Sequence, residues 1–302
     1  KARIINQVLT YYYIEGKNQA QIAKRLEIST TKVNSLIKEA RDQKLIEVSL
    51  NLPFQNLISL TNRLKAVSNI QEVIIVPKLS VNPETILHSA AKAAADLLLE
   101  RLRDGDTICV GSGKTLYAIT ELVSPKRKYK IKVVPCVGGI QGRHYFDVNH
   151  IAAKLARKLG GEAYQFQAPL FVDSEEDRII LHNMRQNKEV LDLARNAQIA
   201  LYGIGGIQPS AAGHFETLYD FIEEKGKKDI VQEKGSIGEI LAHGIDENGK
   251  ECAESRDHKI VGITLDELKK IPFDIAVAAT GEKAFPIYAA LKGDHIRNLV
   301  SD

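Results

Sequence analysis

The stretch NQAQIAKRLEISTTKVNSLIKEAR, residues 18–41, reads as two short helices joined by a tight turn. Asn18 stands as N-cap to a helix holding Ile22, Ala23 and Leu26, and Ser29, Thr30 and Thr31 open the next helix. In that second helix Val33, Leu36, Ile37 and Ala40 fall on one face, and Lys32, Asn34, Ser35, Lys38 and Arg41 on the other. Upstream, Ile4, Ile5, Val8, Leu9 and Tyr12 recur at helical spacing and predict a helix from Ile4 to Ile14. This is the helix-turn-helix layout, in which the helix after the turn enters the DNA major groove and shows polar side chains to base edges. The plainer alternative is a three-helix surface subdomain. The positions expected to meet DNA are Gln19, Gln21, Thr30, Thr31, Lys32, Asn34, Ser35 and Lys38.

Charge agrees with DNA binding. Residues 1–52 hold nine Lys/Arg against five Asp/Glu, while the whole chain carries only +3, which leaves −1 for residues 53–302. Basic charge is thus gathered in the small N-terminal piece, where phosphates would need neutralising.

At 302 residues the chain is long enough for about two domains. With 44% hydrophobic and 26% charged residues it has an ordinary globular composition. No apolar run approaches the ~20 residues of a membrane span, so no membrane partner is expected. Asn6, Gln7 and Thr10 interrupt any signal-peptide core, which makes the cytoplasm the expected location. The chain starts without Met, so a few residues upstream are expected. Three cysteines, Cys109, Cys136 and Cys252, show no metal-ligand spacing, and neither a metal nor another cofactor is expected. The first two sit in apolar strand-like runs and are expected to be buried free thiols of a reducing compartment.

After Ile46–Leu52, a strand and candidate wing, Pro53 breaks the pattern and Gln55–Ala66 reads as a helix. The boundary is therefore expected near residue 53, between a helix-turn-helix domain (1–52) and a second domain (53–302). From Glu72 onward strand-like and helical patterns alternate. Val73–Val76, Thr107–Val110, Ile131–Val137, Ile199–Ile204, Ile260–Ile263, Ile275–Ala279 and Ile296–Val300 read as strands. Segments 84–102, 115–123, 149–159, 186–196, 212–224 and 284–292 read as helices. Short apolar strands separated by helices predict an α/β, Rossmann-like, mostly parallel sheet covered on both faces. The N-terminal domain is expected to be winged-helix-like.

In such sheets the ligand lies beyond the carboxyl ends of the strands. Three strand ends here run straight into glycines: Val110 into Gly111-Ser112-Gly113-Lys114-Thr115, Val137 into Gly138-Gly139, and Ile204 into Gly205-Gly206. Gly113-Lys114-Thr115 has the ending of a nucleotide-binding P-loop, but the glycine that pattern needs five positions earlier is Ile108. The loop is too short to wrap a triphosphate, yet its N–H groups at a helix start, the Ser112 and Thr115 hydroxyls and the Lys114 charge suit a monophosphate. Read alone, the loop is equally well a strand-to-helix turn with a capping hydroxyl.

Several further stretches share an order and spacing. They are Tyr12-Tyr13, Asn18 to Ala23, Leu36 to Arg41, Gly111 to Leu116, Val137-Gly138-Gly139-Ile140, and Asn149 with Ala152, Leu155 and Ala156. Gly160-Gly161, Ala168-Pro169, Gly203 to Ile207, Val261-Gly262-Ile263, Gly281 to Ala284 and Leu291-Lys292-Gly293 follow. Together they resemble the SorC family of bacterial sugar-responsive transcription regulators over essentially the whole chain. The resemblance implies a repressor or activator whose second domain is similar to sugar-phosphate isomerases and binds a phosphorylated sugar. It implies the phosphate on Gly111 to Thr115, a ligand-contacting lysine at Lys283, and further pocket positions at Gly138, Gly139 and Asn149. It also implies a homo-oligomer, a dimer or a tetramer of two dimers. Without the resemblance, Lys283 reads as an exposed lysine at a helix start.

Three departures matter. Glu239 in Gly235-Ser236-Ile237-Gly238-Glu239-Ile240 stands where the family usually carries aspartate, so the carboxylate that would meet sugar hydroxyls is one methylene longer. Thr30 and Ser35 replace common arginines, so the operator is expected to depend less on guanine and more on Lys32 and Lys38. Glu27 fills a turn position where glycine is common.

The competing class is a sugar-phosphate isomerase or deaminase, which needs a general base at the sugar C1–C2 bond. The deaminase-like enzymes place an aspartate directly before a Gly-His pair, whereas here Ala212 precedes Gly213-His214. No catalytic residue is therefore assigned. A pure interaction scaffold is disfavoured by the glycine-lined strand ends. The expected mechanism is linkage: an effector held between residues 111–115 and Lys283 shifts the packing of the large domains, and hence the operator affinity of two recognition helices.

Overall fold

Alternating apolar residues in Thr107–Val110 point Ile108 and Val110 to one layer of helices and Cys109 to another, and the whole larger unit is built on that alternation. The structure, a computed structural model, describes residues 2–43, 45–46, 55–140, 146–206, 235–252 and 259–302. It divides into two compact units, residues 1–55 and 56–302.

In the first unit α1 (Ala2–Leu9) ends in a wide π turn, Thr10–Ile14, and is followed by α2 (Gln19–Leu26) and α3 (Thr30–Asp42). Asn18 closes a capping box on α2: its Oδ1 accepts the Gln21 N–H at 2.9 Å while Gln21 Oε1 accepts the Asn18 N–H at 3.0 Å. Ser29 Oγ accepts the Lys32 N–H at 3.1 Å and starts α3. Ile5, Val8, Ile22, Ala23, Val33, Leu36, Ile37 and Ala40 form the core. The expected regular helix to Ile14 is corrected by the π turn, which breaks the apolar register, so that Ile14 is left 81% exposed. Ile4, expected on the buried stripe, is exposed as well.

Glu27 closes α2 at φ +53°, ψ +40°, a left-handed conformation that a Cβ disfavours. Glu27→Gly is therefore expected to stabilise this unit by about 0.5–1 kcal/mol, net of the extra entropy glycine loses on folding. A lower or unchanged urea midpoint for the variant contradicts this.

The second unit begins in α4 (Gln55–Val67). Its sheet has the order β1-β9-β8-β5-β2-β3-β4, with every neighbouring pair parallel. These strands are β1 (Glu72–Ile75), β2 (Thr107–Val110), β3 (Lys132–Pro135), β4 (Glu162–Ala163), β5 (Ile199–Gly206), β8 (Phe273–Val277) and β9 (Asn298–Ser301). Helices α5 (Pro83–Arg101), α6 (Lys114–Leu122) and α7 (Val148–Leu159) cover one face. The four alanines Ala90, Ala91, Ala94 and Ala95 let α5 lie close to its neighbours. On the other face lie α9 (Arg185–Arg195), α10 (Leu265–Leu268) and α11 (Ala284–Lys292), while α8 (Glu175–Asn183) precedes α9. An antiparallel hairpin, β6 (Ser236–Ile240) and β7 (His243–Asp246), attaches to the last residues of β5.

Several expectations are corrected. Ile260–Ile263 is not a strand of the parallel sheet: Ile260 and Gly262 make single antiparallel bridges to Phe171 and Val137, so the segment straps the exits of neighbouring loops. Cys109 and Cys136 are not free thiols but are joined in a disulfide. Cys109 lies in β2 and Cys136 directly follows the neighbouring strand β3, with their Cα atoms 5.4 Å apart. Cys252 is the free, buried cysteine. The expected strand to Leu52 (from residue 47) and the expected helix 212–224 with Gly213-His214 lie outside the described residues.

Candidate functional site

The chain leaves β2 for β3 and β4 on one side, then returns to add β5, β8 and β9 on the other. That reversal leaves a crevice between the carboxyl ends of β2 and β5, the general ligand position of such sheets. Gly111, Ser112, Gly113, Lys114 and Thr115 line one wall of an open cleft of ≈ 1620 Å³ there. Gly111 donates its N–H to Leu201 O at 2.9 Å, and Gly113 its own to Phe146 O at 3.1 Å. Gly113 turns the chain at φ +108°, and α6 starts at the next residue without a side-chain cap. The amides of the first turn of α6 therefore have no helical acceptor and present the positive end of the helix. A side chain at Gly111 would meet Leu241 Cδ2 at 3.0 Å, so glycine lets the hairpin close over the loop.

The opposite wall comes from β5, β6 and the turn before α11. β6 sets Glu239 directly across from Gly205, where a Cβ would fall 2.7 Å from the Glu239 carboxyl carbon. Lys283 ends a 3₁₀ turn, Gly281–Lys283, and its Nζ lies 3.5 Å from where a Gly206 Cβ would be. Lys283 is thus a half-buried cleft residue and not an exposed helix-start lysine. Burial pushes its ammonium below the usual lysine range, and Glu239 and then Glu282 pull it partly back. Lys114 instead stands at the rim, 4.0 Å from Glu84 and about half exposed.

Gly138, Gly139 and Asn149 do not line this cleft directly. Gly138 and Gly139 donate their N–H groups to Val261 O and Ala168 O, both at 2.8 Å. Asn149 Oδ1 accepts the Phe166 N–H at 2.7 Å. The three residues bracket the exit of β3 to segment 166–170, and their neighbours Val137 and Ile140 reach the cleft. Leu241, Ala242 and Thr280 also line it and were not legible as site residues. All three have positive φ, at +52°, +70° and +91°, a clustering of backbone strain typical of binding sites.

On the first unit, Thr30, Thr31, Lys32, Asn34, Ser35 and Lys38 all stand exposed on α3, opposite its buried face. Gln19 opens α2, and Gln21 keeps its amide NH₂ for an outside acceptor because only its oxygen serves the capping box. Arg41 donates to Tyr13 Oη at 3.1 and 2.9 Å, and Arg25 lies over the Tyr11 ring and 3.7 Å from Glu15. Among the described residues Lys32 and Lys38 form no ion pair. No described helix is long and apolar enough to cross a membrane, and no group of three or more described His, Cys, Asp or Glu could hold a metal.

Residues 52–302 match the family described as "Putative sugar-binding domain", and residues 6–43 match sigma-70 region 4. The chain is 28% identical over 301 residues to the transcriptional regulator LsrR of Enterobacter sp. (strain 638), covering 99% of this chain and 90% of that one. It is 26% identical over 307 residues to the deoxyribonucleoside regulator of Bacillus subtilis (strain 168), covering 100% and 95%. Its fold matches the full-length sorbitol operon regulator SorC of Klebsiella pneumoniae with a TM-score of 0.73 at 23% identity, covering 100% and 96%.

Proposed function

Because the chain belongs to the SorC family of sugar-binding transcriptional regulators, we propose that a phosphorylated sugar seated between the Gly111–Thr115 loop and Lys283 sets its affinity for operator DNA. The observation that carries this reading is the uncapped N-terminus of α6 on one wall of the crevice and a half-buried lysine on the other. A helix N-terminus and an ammonium both favour an anion. Ser112 and Thr115 add hydroxyl donors, and Glu239 accepts from sugar hydroxyls. Lys114 contributes charge from the rim. On this reading the cleft binds sugars without turning them over.

A thermal-shift panel tests it. Pentose, deoxypentose, hexose and hexitol phosphates are compared with their unphosphorylated forms, the names of the relatives supplying the first members. One phosphorylated sugar raises the midpoint, Thr115→Ala weakens the shift, and the sugar is recovered unchanged. Shifts from unphosphorylated compounds alone contradict the phosphate seat. Glu239→Asp is expected to reorder the ranking of sugars while the preference for phosphate stays. An unchanged ranking means Glu239 does not read the hydroxyls.

For the DNA-facing half, two α3 helices of a dimer (alone or within a tetramer) read the half-sites of a palindromic operator. Thr30, Thr31, Asn34 and Ser35 face the bases, and Gln19, Gln21, Lys32 and Lys38 contact phosphates or the groove edge. On α3, where Arg41 is engaged by Tyr13, Lys32 and Lys38 carry the open charge. Lys38→Ala is expected to weaken all DNA sequences alike and to lower the salt dependence of binding by about one phosphate contact. A loss confined to one operator base pair assigns Lys38 to base reading instead.

A further inference from the structure

We propose that Asp302 is a positioning residue for Lys283: its carboxylate holds Thr280 in a backbone conformation that threonine does not keep unaided, and so aims the turn that carries the ammonium into the cleft. The proposal rests on the effector-site reading above.

The chain leaves β8 alongside β9, with the Ala278 N–H donated to Val300 O at 3.1 Å. Two residues later Thr280 takes φ +91°, ψ +148°. That region of backbone space is essentially reserved for glycine, and a β-branched residue persists there only when its surroundings hold it. The hold is visible. The Thr280 N–H is donated to Asp302 Oδ1 at 2.6 Å, the short distance of a hydrogen bond to a charged acceptor. The Thr280 carbonyl in turn accepts the Lys283 N–H at 3.0 Å and closes the 3₁₀ turn. From the Asp302 carboxylate to the Lys283 backbone the path is two hydrogen bonds long.

Asp302 is well placed for this task. It follows β9, which lies hydrogen-bonded between β1 and β8, and Ser301 O accepts the Val76 N–H at 2.7 Å just before it. Its carboxylate is thus tied to the sheet, whereas the turn it holds is a short loop. Thr280 and Lys283 line the cleft and Asp302 does not, so Asp302 acts through them. Without the carboxylate, Thr280 relaxes toward negative φ and the turn swings, moving Nζ off the wall it shares with Glu239 and Gly206.

The test is calorimetry on the full chain with four probes: ribose 5-phosphate, 2-deoxyribose 5-phosphate, glucitol 6-phosphate and inorganic phosphate. Asp302→Ala is expected to weaken whichever probes bind the wild type about tenfold, the size of one charge-assisted hydrogen bond. Asp302→Asn, which keeps the acceptor oxygen, recovers most of the affinity. Thr280→Gly placed in the Asp302→Ala chain also recovers affinity, because glycine takes the turn conformation without help. In a Lys283→Ala background Asp302→Ala has no further effect. If Asp302→Ala binds as the wild type does, or if its loss is as large without Lys283, the positioning role is overturned. Should Asp302→Ala fail to fold, Asp302→Asn binding tenfold more weakly than wild type, with no rescue by Thr280→Gly, overturns it equally. A wild-type chain that binds neither these probes nor any member of the wider sugar-phosphate panel removes the effector-site reading, and this proposal with it.

Discussion

Replacing Lys283 by alanine is expected to weaken sugar-phosphate binding by about a hundredfold in a chain that still folds. A hydrogen bond to a charged group contributes about 1.5–3 kcal/mol, and a phosphate facing a desolvated ammonium sits at the upper end of that range. The sign of the pH dependence follows. Only the protonated lysine attracts the phosphate, and burial lowers the pH at which Lys283 gives up its proton, against the pull of Glu239 and Glu282. Affinity therefore falls as pH rises through that lowered pKa, earlier than an ordinary lysine would allow, and the fall is absent from the Lys283→Ala chain. Calorimetric titrations at several alkaline pH values measure both effects. Equal affinities for wild type and variant would remove Lys283 from the site.

The second large effect is expected at Gly138. A methyl group there would lie on the Pro169 carbonyl oxygen, far inside contact distance, and 2.8 Å from Ala168 O. Neither oxygen can retreat, since Gly139 donates to Ala168 O and accepts from the Leu170 N–H, both at 2.8 Å. Gly138→Ala is therefore expected to cost about 3 kcal/mol or more, read as a lowered urea midpoint. The role assigned is packing of the bracket behind the cleft. A variant with wild-type stability but no sugar-phosphate binding assigns Gly138 to the pocket instead.

Much of this was readable from residue order, and the exceptions have physical causes. Thr107–Val110 is short and apolar between the Asp104-Gly105 turn and a glycine loop, so its burial on both faces and its loop position were legible. Ile260–Ile263 has the same apolar look, but composition cannot say whether a run finds a sheet neighbour or only a loop. The β6–β7 hairpin escaped because Leu241 and Ala242 occupy left-handed positions that Asn or Gly usually announce. Gly138 and Gly139 were singled out as positions where a ligand could come close, and the atoms that crowd them in the structure are those of Pro169, Ala168 and Asp147, which residue order does not announce. Thr280 left no trace at all, since its conformation is imposed by Asp302, 22 residues away. Lys283 became legible only through family resemblance, because a lysine at a helix start carries no signal of burial by itself.

The most direct test of the central claim uses operator DNA selected from a random pool by the full chain. Its fluorescence anisotropy is followed while the sugar-phosphate panel is titrated in. The account predicts that one phosphorylated sugar changes operator affinity by roughly 5- to 150-fold, the range of ordinary allosteric coupling, and that Lys283→Ala abolishes the change while binding the operator normally. Operator affinity that stays constant across the panel, or a response that survives in Lys283→Ala, contradicts it.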